Sequence, residues 1–406
     1  MAVDELTDAP AEQGSRLALV PWWARVLLVF VASRAVTTTI LIAAAAAQKI
    51  NPWTGANPDY FDYAKIWDGH WYYIIALTGY PSVLPVTSDG HVGESAWAFM
   101  PGYPALVRAL MLPTGLDFRP LAVLVSVLFA LGTALLFYKL LARTLPAGTA
   151  LFSVVLFCVA PLSPIYQVAY AESMHMFFLV LALYLLTTRR YALLFPVIAV
   201  MALTRPSGLA FALALGLHVV YRWWKRDDEP FPARQVLASI SATLFSALMG
   251  VAWLLIAWGV TGSSTAYTDT ELAWRAPYIG YQELVPFSQL GQAAKFWLQF
   301  PAGPTIVVIT GAAIVGFAVL LFLPAARRVG ADIRFWLASY LLYLLAVFFP
   351  QSSTFRLLVP LFPALGIIAQ PRSRIYRVLL VLLFVAGQVV WVQIAWFVDG
   401  SDWTPP

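Results

Sequence analysis

Long apolar segments alternate with short polar segments along most of this chain. About 20 apolar residues in helical conformation suffice to cross a bilayer, and the first segment, residues 22 to 47, is longer than that. The other apolar segments cover roughly residues 119–142, 149–168, 172–188, 191–204, 206–222, 236–260, 304–325, 335–349, 357–370 and 376–398. The pattern therefore predicts about eleven transmembrane helices and no sheet.

One further apolar stretch does not fit a full crossing. It reads "AWAFMPGYPALVRALMLP" and contains Pro101, Pro104 and Pro113. Proline removes a backbone donor and interrupts a helix, so a continuous membrane span is disfavoured here. We predict a re-entrant or interfacial segment over about residues 98 to 112.

The composition agrees with an all-α polytopic membrane protein. The chain has 406 residues, of which 61% are hydrophobic and only 11% are charged, which is more apolar surface than a soluble core absorbs. The net charge of +5 comes from bases that punctuate the apolar segments. Membrane topology explains that distribution better than a nucleic-acid partner does, so no nucleic acid is predicted.

Lysine and arginine accumulate on the cytoplasmic side of membranes, and this rule orients the segments. It predicts a cytoplasmic tail at residues 1–21, a single transmembrane domain at 22–398 and an external tail at 399–406. Two long loops, residues 48–118 and 261–303, then lie outside, whereas the cytoplasmic loops are too short to form a domain. Any chemistry is therefore expected on the outer face.

The stretch "FDYAKIWDGHWYYIIALTGYP", residues 61 to 81, gathers charged and aromatic side chains in the first external loop. Asp68 could accept a proton from a sugar hydroxyl at the outer edge of the bilayer, or it could cap the helix that follows. The neighbouring rings, including Trp67 and Tyr72, suit an interfacial aromatic belt and also suit stacking against a sugar.

Two arginines stand alone near the outer ends of apolar segments. Arg205 and Arg356 each need an anionic partner, because a buried charge costs several kcal/mol unless it is paired. That partner is either Glu172, which the topology places on the same side, or the phosphate of a lipid. The histidines have no metal-binding spacing, and no nucleotide-binding glycine loop occurs. The missing nucleotide site points to an activated donor that arrives within the membrane. No metal-ligating residues are predicted.

Five stretches follow one another along the chain: "WDGHWYYIIALTGYP", "AFMPGYPALVR", "AYAESMHMFF", "LTRPSGLA" and "FRLLVPLFP". In this order they resemble the GPI mannosyltransferase 2 (PIG-V) family of GT-C glycosyltransferases, in a bacterial, actinobacterial-type form. The resemblance spans roughly residues 20 to 370. It implies the GT-C fold, with about 11 transmembrane helices, a long first external loop, and catalysis by the pair Trp67 and Asp68.

The resemblance also implies the reaction. An inverting hexosyltransferase of the plasma membrane would use polyprenyl-phosphate-mannose to glycosylate a lipid-linked or cell-envelope glycan, a step of glycolipid biosynthesis on the extracytoplasmic face. Its partners would be the donor, a glycolipid or glycan acceptor and membrane lipids, with no resident cofactor and with metal dependence left open. The predicted substrate-binding residues are Asp62, Lys65, His70, Tyr72, Glu172, Arg205 and Arg356.

Three alternatives to this prediction remain open. A lipid or polysaccharide transporter would also place charges in the membrane, although the charges here cluster at outer ends and no internal repeat is visible. A non-catalytic subunit could hold a lipid-linked glycan with the same fold. A GT-C enzyme could use another polyprenyl-phosphate sugar.

Overall fold

The computed structural model describes residues 20–282 and 284–399, and within these ranges the regular structure is helical. The extended pairing consists of one isolated bridge between Val86 and Val92. The predicted all-α class is therefore confirmed. Most of the tails predicted at 1–21 and 399–406 lies outside the described residues.

Eighteen α-helices follow in chain order among the described residues. Their bounds are α1 Trp22–Ala47, α2 Tyr60–Tyr63, α3 Asp68–Thr78, α4 Gly102–Thr114, α5 Phe118–Leu141, α6 Ala147–Val159, α7 Glu172–Thr187, α8 Leu194–Ala202, α9 Gly208–Trp224, α10 Ala233–Thr261, α11 Ala266–Ile279, α12 Gln289–Trp297, α13 Gly303–Leu320, α14 Pro324–Arg328, α15 Ala331–Val347, α16 Thr354–Leu357, α17 Leu365–Ile368 and α18 Arg374–Trp391. Short 3₁₀ turns lie at Ala96–Ala98, Ser163–Gln167, Tyr191–Leu193 and Val359–Ala364, and a π turn at Val392–Trp396 extends α18.

Five of the described helices are long and apolar enough to cross a membrane. They are α1, α5, α10, α13 and the continuous helical stretch Arg374–Trp396. Much of their surface is apolar and exposed, as in α13, where only Gly303 is buried. The chain is accordingly a multi-pass membrane protein, with shorter apolar helices packed among the long ones.

Two predicted crossings are not single helices. The segment predicted at 149–168 is helical only to Val159 and continues as the 3₁₀ turn Ser163–Gln167. The segment predicted at 357–370 is divided between the turn Val359–Ala364 and α17. Proline explains both interruptions, because these stretches contain "APLSP" and "VPLFP" and proline cannot donate the helical hydrogen bond.

A close contact of two glycines brings α9 against α10. A Cβ atom at Gly208 would lie 2.6 Å from the Cα atom of Gly250, so the two backbones touch where neither residue has a side chain. Small residues allow transmembrane helices to approach in this way. Ser246 of α10 adds a hydrogen bond of 2.8 Å to the Gly208 carbonyl.

A buried arginine fixes the segment that follows α6. Arg34 of α1 donates to the carbonyl oxygens of Cys158 at 2.6 Å and Ser163 at 2.8 Å, and to Oε1 of Gln167 at 3.1 Å. It thereby satisfies carbonyl groups that the interrupted helix leaves without a partner. The Tyr60 hydroxyl donates to the Gln167 carbonyl at 2.6 Å, so α1 and α2 both hold residues 163–167 in place.

Candidate active site

A cavity of about 410 Å³ opens among α7, α11, α15 and the segment around α16. Apolar and aromatic side chains make up most of its wall, with a small number of charged groups between them. Its charged lining residues include Asp68, Glu172, Arg205 and Arg356. A largely apolar cavity with a few convergent polar groups is typical of a small-ligand site.

Asp68 enters this cavity from a strained turn. Trp67, the residue before it, has φ 58° and ψ −124°, a conformation that glycine usually occupies at the first central position of a type II′ turn. The turn closes with a hydrogen bond of 3.2 Å from the Gly69 amide to the Ile66 carbonyl. A non-glycine residue in such a region costs roughly 1–3 kcal/mol, which the surrounding packing must offset.

The segment after Ser163–Gln167 supplies that packing. The Ala169 amide donates to the Ala64 carbonyl at 3.0 Å, and the Asp68 amide donates to the Tyr170 hydroxyl at 3.2 Å. A Cβ atom at Gly69 would lie 3.3 Å from the Ala169 carbonyl oxygen, so only glycine fits here without displacement. The turn is therefore pressed against residues 169–170, and Asp68 becomes the first residue of α3.

The four charged residues form one cluster. Oδ2 of Asp68 accepts a hydrogen bond from Nη1 of Arg356 and lies 3.6 Å from Nη1 of Arg205. Oε1 of Glu172 lies 2.9 Å from Nη2 of Arg205 and 3.7 Å from Nε of Arg356. Each carboxylate thus faces both guanidinium groups, and the formal charges of the cluster sum to zero.

Two tyrosines flank the cluster. Nη1 of Arg205 donates to the Tyr72 hydroxyl at 3.4 Å, and the Arg356 guanidinium lies 5.5 Å from the centre of the Tyr170 ring. Since the Tyr170 hydroxyl also accepts a hydrogen bond from the Asp68 amide, one tyrosine contacts both members of the Asp68–Arg356 pair.

Asp68 does not act as the cap of the helix that follows it, which was the alternative to a catalytic role. Trp67 occupies the N-cap position of α3, and no side-chain hydrogen bond caps that helix. Asp59 has the capping role in the preceding helix, where its side chain accepts from the Asp62 amide at 2.8 Å. The carboxylate of Asp68 instead points to the arginines.

Three residues of the predicted site lie apart from the charge cluster. Asp62 pairs with Arg119 at 2.9 Å, and Nζ of Lys65 lies 4.7 Å from the centre of the Tyr73 ring. Burial, with a smaller contribution from Lys65, lowers the pKa of His70. None of the three lines the cavity described above. Of the predicted set, the structure brings together Asp68, Tyr72, Glu172, Arg205 and Arg356, and Trp67 adjoins them.

None of the predicted site residues lies in α11, yet one face of this helix lines the cavity. Tyr267, Glu271, Trp274 and Arg275 all contribute to it. Their spacing of four, three and one residues places them on one helical face, a signal that was present in the stretch "AYTDTELAWRAPY". Burial raises the pKa of Glu271, although the nearby Arg275 opposes that shift.

Within residues 20–282 and 284–399, no group of three His, Cys, Asp or Glu side chains could hold a metal ion. Among the same residues, the cationic groups that meet Asp68 are Arg205 and Arg356.

No family model matches the chain, and no curated protein does. Among solved structures it is similar to an oligosaccharyltransferase of Archaeoglobus fulgidus, crystallised with an acceptor peptide containing the NVT sequon and tethered by a disulfide bond. The identity is 11%, the TM-score is 0.36, and the match covers 89% of this chain. The chain spans about half of that protein, 54% of its length. At this identity and TM-score the likeness does not identify a function for this chain.

Proposed function

We propose that this chain is an inverting GT-C glycosyltransferase related to the GPI mannosyltransferase 2 family. It transfers mannose from polyprenyl-phosphate-mannose to a lipid-linked or cell-envelope glycan on the outer face of the plasma membrane. The observation that carries the proposal is the pairing of Asp68 with two arginines in a largely apolar cavity. The pairing supplies a base beside two cationic groups that can receive a phosphate.

Asp68 is the general base in this mechanism. Its carboxylate accepts the proton of the acceptor hydroxyl while the hydroxyl oxygen forms a bond to the anomeric carbon of the donor. The bond from that carbon to the phosphate oxygen breaks, and its electron pair stays on the polyprenyl phosphate. General base catalysis of this kind contributes about 10²- to 10⁴-fold to a rate.

The arginines stabilise the charge that moves during the step. Before transfer, the donor phosphodiester and Asp68 each carry one negative charge; afterwards the phosphate carries two and Asp68 is neutral. Arg356 therefore loses its anionic partner as the phosphate gains charge, and a guanidinium fork can hold either oxyanion. Glu172 keeps Arg205 in position at 2.9 Å throughout. Preorganised groups aimed at developing charge are a major source of catalysis.

Two features favour a lipid-linked donor over a nucleotide sugar. The sequence lacks a nucleotide-binding glycine loop, and the cavity wall is largely apolar and lies among helices of a multi-pass membrane protein. Its volume of about 410 Å³ is within the range of roughly 300–1,000 Å³ for small-molecule sites. A sugar phosphate headgroup suits such a site, with its lipid chain remaining in the bilayer.

Product analysis with the purified protein in lipid nanodiscs tests this proposal. The donors are polyprenyl-phosphate-mannose, polyprenyl-phosphate-glucose and GDP-mannose, each mixed with candidate glycolipid acceptors and analysed by mass spectrometry. We expect one added hexose from polyprenyl-phosphate-mannose alone. Transfer from GDP-mannose would contradict the lipid-linked donor. Binding of an intact lipid-linked glycan without any transfer would support a carrier or transporter instead.

A further inference from the structure

The face of α11 that lines the cavity has a chemistry distinct from that of the charge cluster. Glu271 and Trp274 belong to this face, and Gln351 lines the same cavity from the segment between α15 and α16. Together they offer a carboxyl group, an indole N–H donor and an amide oxygen acceptor. We refer to these three residues as the α11 subsite.

Trp274 is tied to the helix that carries Asp68. Its ring meets the Trp71 ring edge-on, with centroids 5.8 Å apart, and meets the Phe99 ring in the same manner at 6.1 Å. Trp71 lies in α3, three residues after Asp68. A ligand that contacts the Trp274 ring therefore lies on the side of the cavity that α3 and its carboxylate reach.

Two polar atoms of the subsite have no protein partner. Nε1 of Trp274 and Oε1 of Gln351 are both buried, and neither makes a hydrogen bond with any described residue. The amide nitrogen of Gln351 donates to the Ser353 hydroxyl at 3.2 Å, which orients the side chain and leaves its oxygen as an acceptor. Buried polar atoms are nearly always hydrogen-bonded, and leaving one without a partner is destabilising.

A sugar ring matches these groups better than an acyl chain does. Its hydroxyl groups can accept from the Trp274 N–H and donate to the Gln351 oxygen, while its C–H face packs on an aromatic ring. A hydrocarbon chain in this place would leave both polar atoms unsatisfied. The carboxyl group of Glu271 adds a third partner for a hydroxyl.

We propose that Glu271, Trp274 and Gln351 form the subsite that binds the sugar ring of the acceptor. The assignment to the acceptor rests on the proposed function, in which the acceptor hydroxyl must reach Asp68. The sugar of the donor has the same chemistry, so the test separates the two sources.

Steady-state kinetics with both substrates provides that separation. Trp274→Phe keeps an aromatic ring and removes the N–H, while Gln351→Leu keeps the approximate volume and removes the acceptor oxygen. Because each change removes one hydrogen bond, each should raise the acceptor KM about three- to tenfold. The donor KM should stay within twofold of the wild-type value. Trp23→Phe, at an exposed position of α1, is the matched control and should change neither. A rise in the donor KM alone would overturn the acceptor assignment, and two unchanged KM values would overturn the subsite.

A binding measurement keeps the subsite testable apart from the reaction. Saturation-transfer NMR with methyl α-mannoside reports contact between a sugar and the protein in nanodiscs, whether or not transfer occurs. We expect the signal from wild type and Trp23→Phe to be several-fold stronger than that from Trp274→Phe. Equal signals from all three proteins would overturn the subsite, whereas the absence of sugar transfer by wild type would count against the proposed function and not against the subsite.

Discussion

The contribution of the buried Glu172–Arg205 ion pair to the free energy of unfolding can be measured. The two side chains are 4% and 17% exposed and their charged atoms lie 2.9 Å apart. Glu172→Gln removes one charge and leaves Arg205 with the more distant Asp68 oxygen at 3.6 Å. Breaking a buried ion pair costs about 3–5 kcal/mol, and we expect about 3 kcal/mol because Asp68 remains.

A double-mutant cycle isolates the interaction. The free energy of unfolding is compared for wild type, Glu172→Gln, Arg205→Met and the double variant in the same detergent. Each single change should be strongly destabilising, while the double change should cost less than the sum of the two by about 1–3 kcal/mol. The matched control is Asp62→Asn, whose partner Arg119 is 35% exposed, so this change should cost less than about 1 kcal/mol.

The opposite order of destabilisation in these two variants would refute this reasoning. If Glu172→Gln unfolds like wild type while Asp62→Asn is markedly destabilised, the buried cluster does not exist in the form described. Additive single effects would show that Glu172 and Arg205 act independently.

Three further predictions concern the turn, the phosphate and the subsite. Trp67→Gly should be about 1 kcal/mol more stable than Trp67→Ala in denaturant unfolding, because only glycine relieves the positive φ; the usual alanine-over-glycine order would contradict the strain. Arg356→Lys should raise the donor KM about tenfold, because lysine keeps the charge but loses the fork, and an unchanged donor KM would exclude phosphate clamping by this residue. Burial raises the pKa of Glu271 in the folded state above its ordinary value of 4.5. Between the unfolded-state pKa and the higher folded-state pKa, the folded state therefore binds more protons than the unfolded state. Wild-type stability should therefore fall as pH rises through that window, and Glu271→Gln should fall less; identical pH profiles of the melting temperature would contradict the shift.

Several parts of the structure follow from local sequence rules. The first apolar segment predicted α1 at residues 22 to 47, and the structure has the same bounds, because length and apolar character alone define such a helix. The cost of a buried charge predicted an anionic partner for Arg205 and Arg356, either Glu172 or a lipid phosphate, and in the structure Arg205 meets Glu172.

Other parts depend on contacts that no local rule contains. Asp68 and Arg356 are 288 positions apart in the chain, and only the tertiary fold, in which Tyr170 contacts both residues, brings them together. The positive φ of Trp67 could not be predicted from the sequence either, because tryptophan rarely adopts that conformation. The surrounding fold imposes the turn against local preference, and such strain concentrates at functional sites.

The transfer rate of Asp68→Asn tests whether Asp68 is the general base. This change keeps the shape of the side chain and removes its basicity, so transfer from polyprenyl-phosphate-mannose should slow by about 10²- to 10⁴-fold. Donor binding, measured separately, should persist, and Asp62→Asn should transfer at a rate close to wild type. If Asp68→Asn folds, binds donor and transfers sugar at the wild-type rate, Asp68 is not the base and the proposed mechanism is wrong.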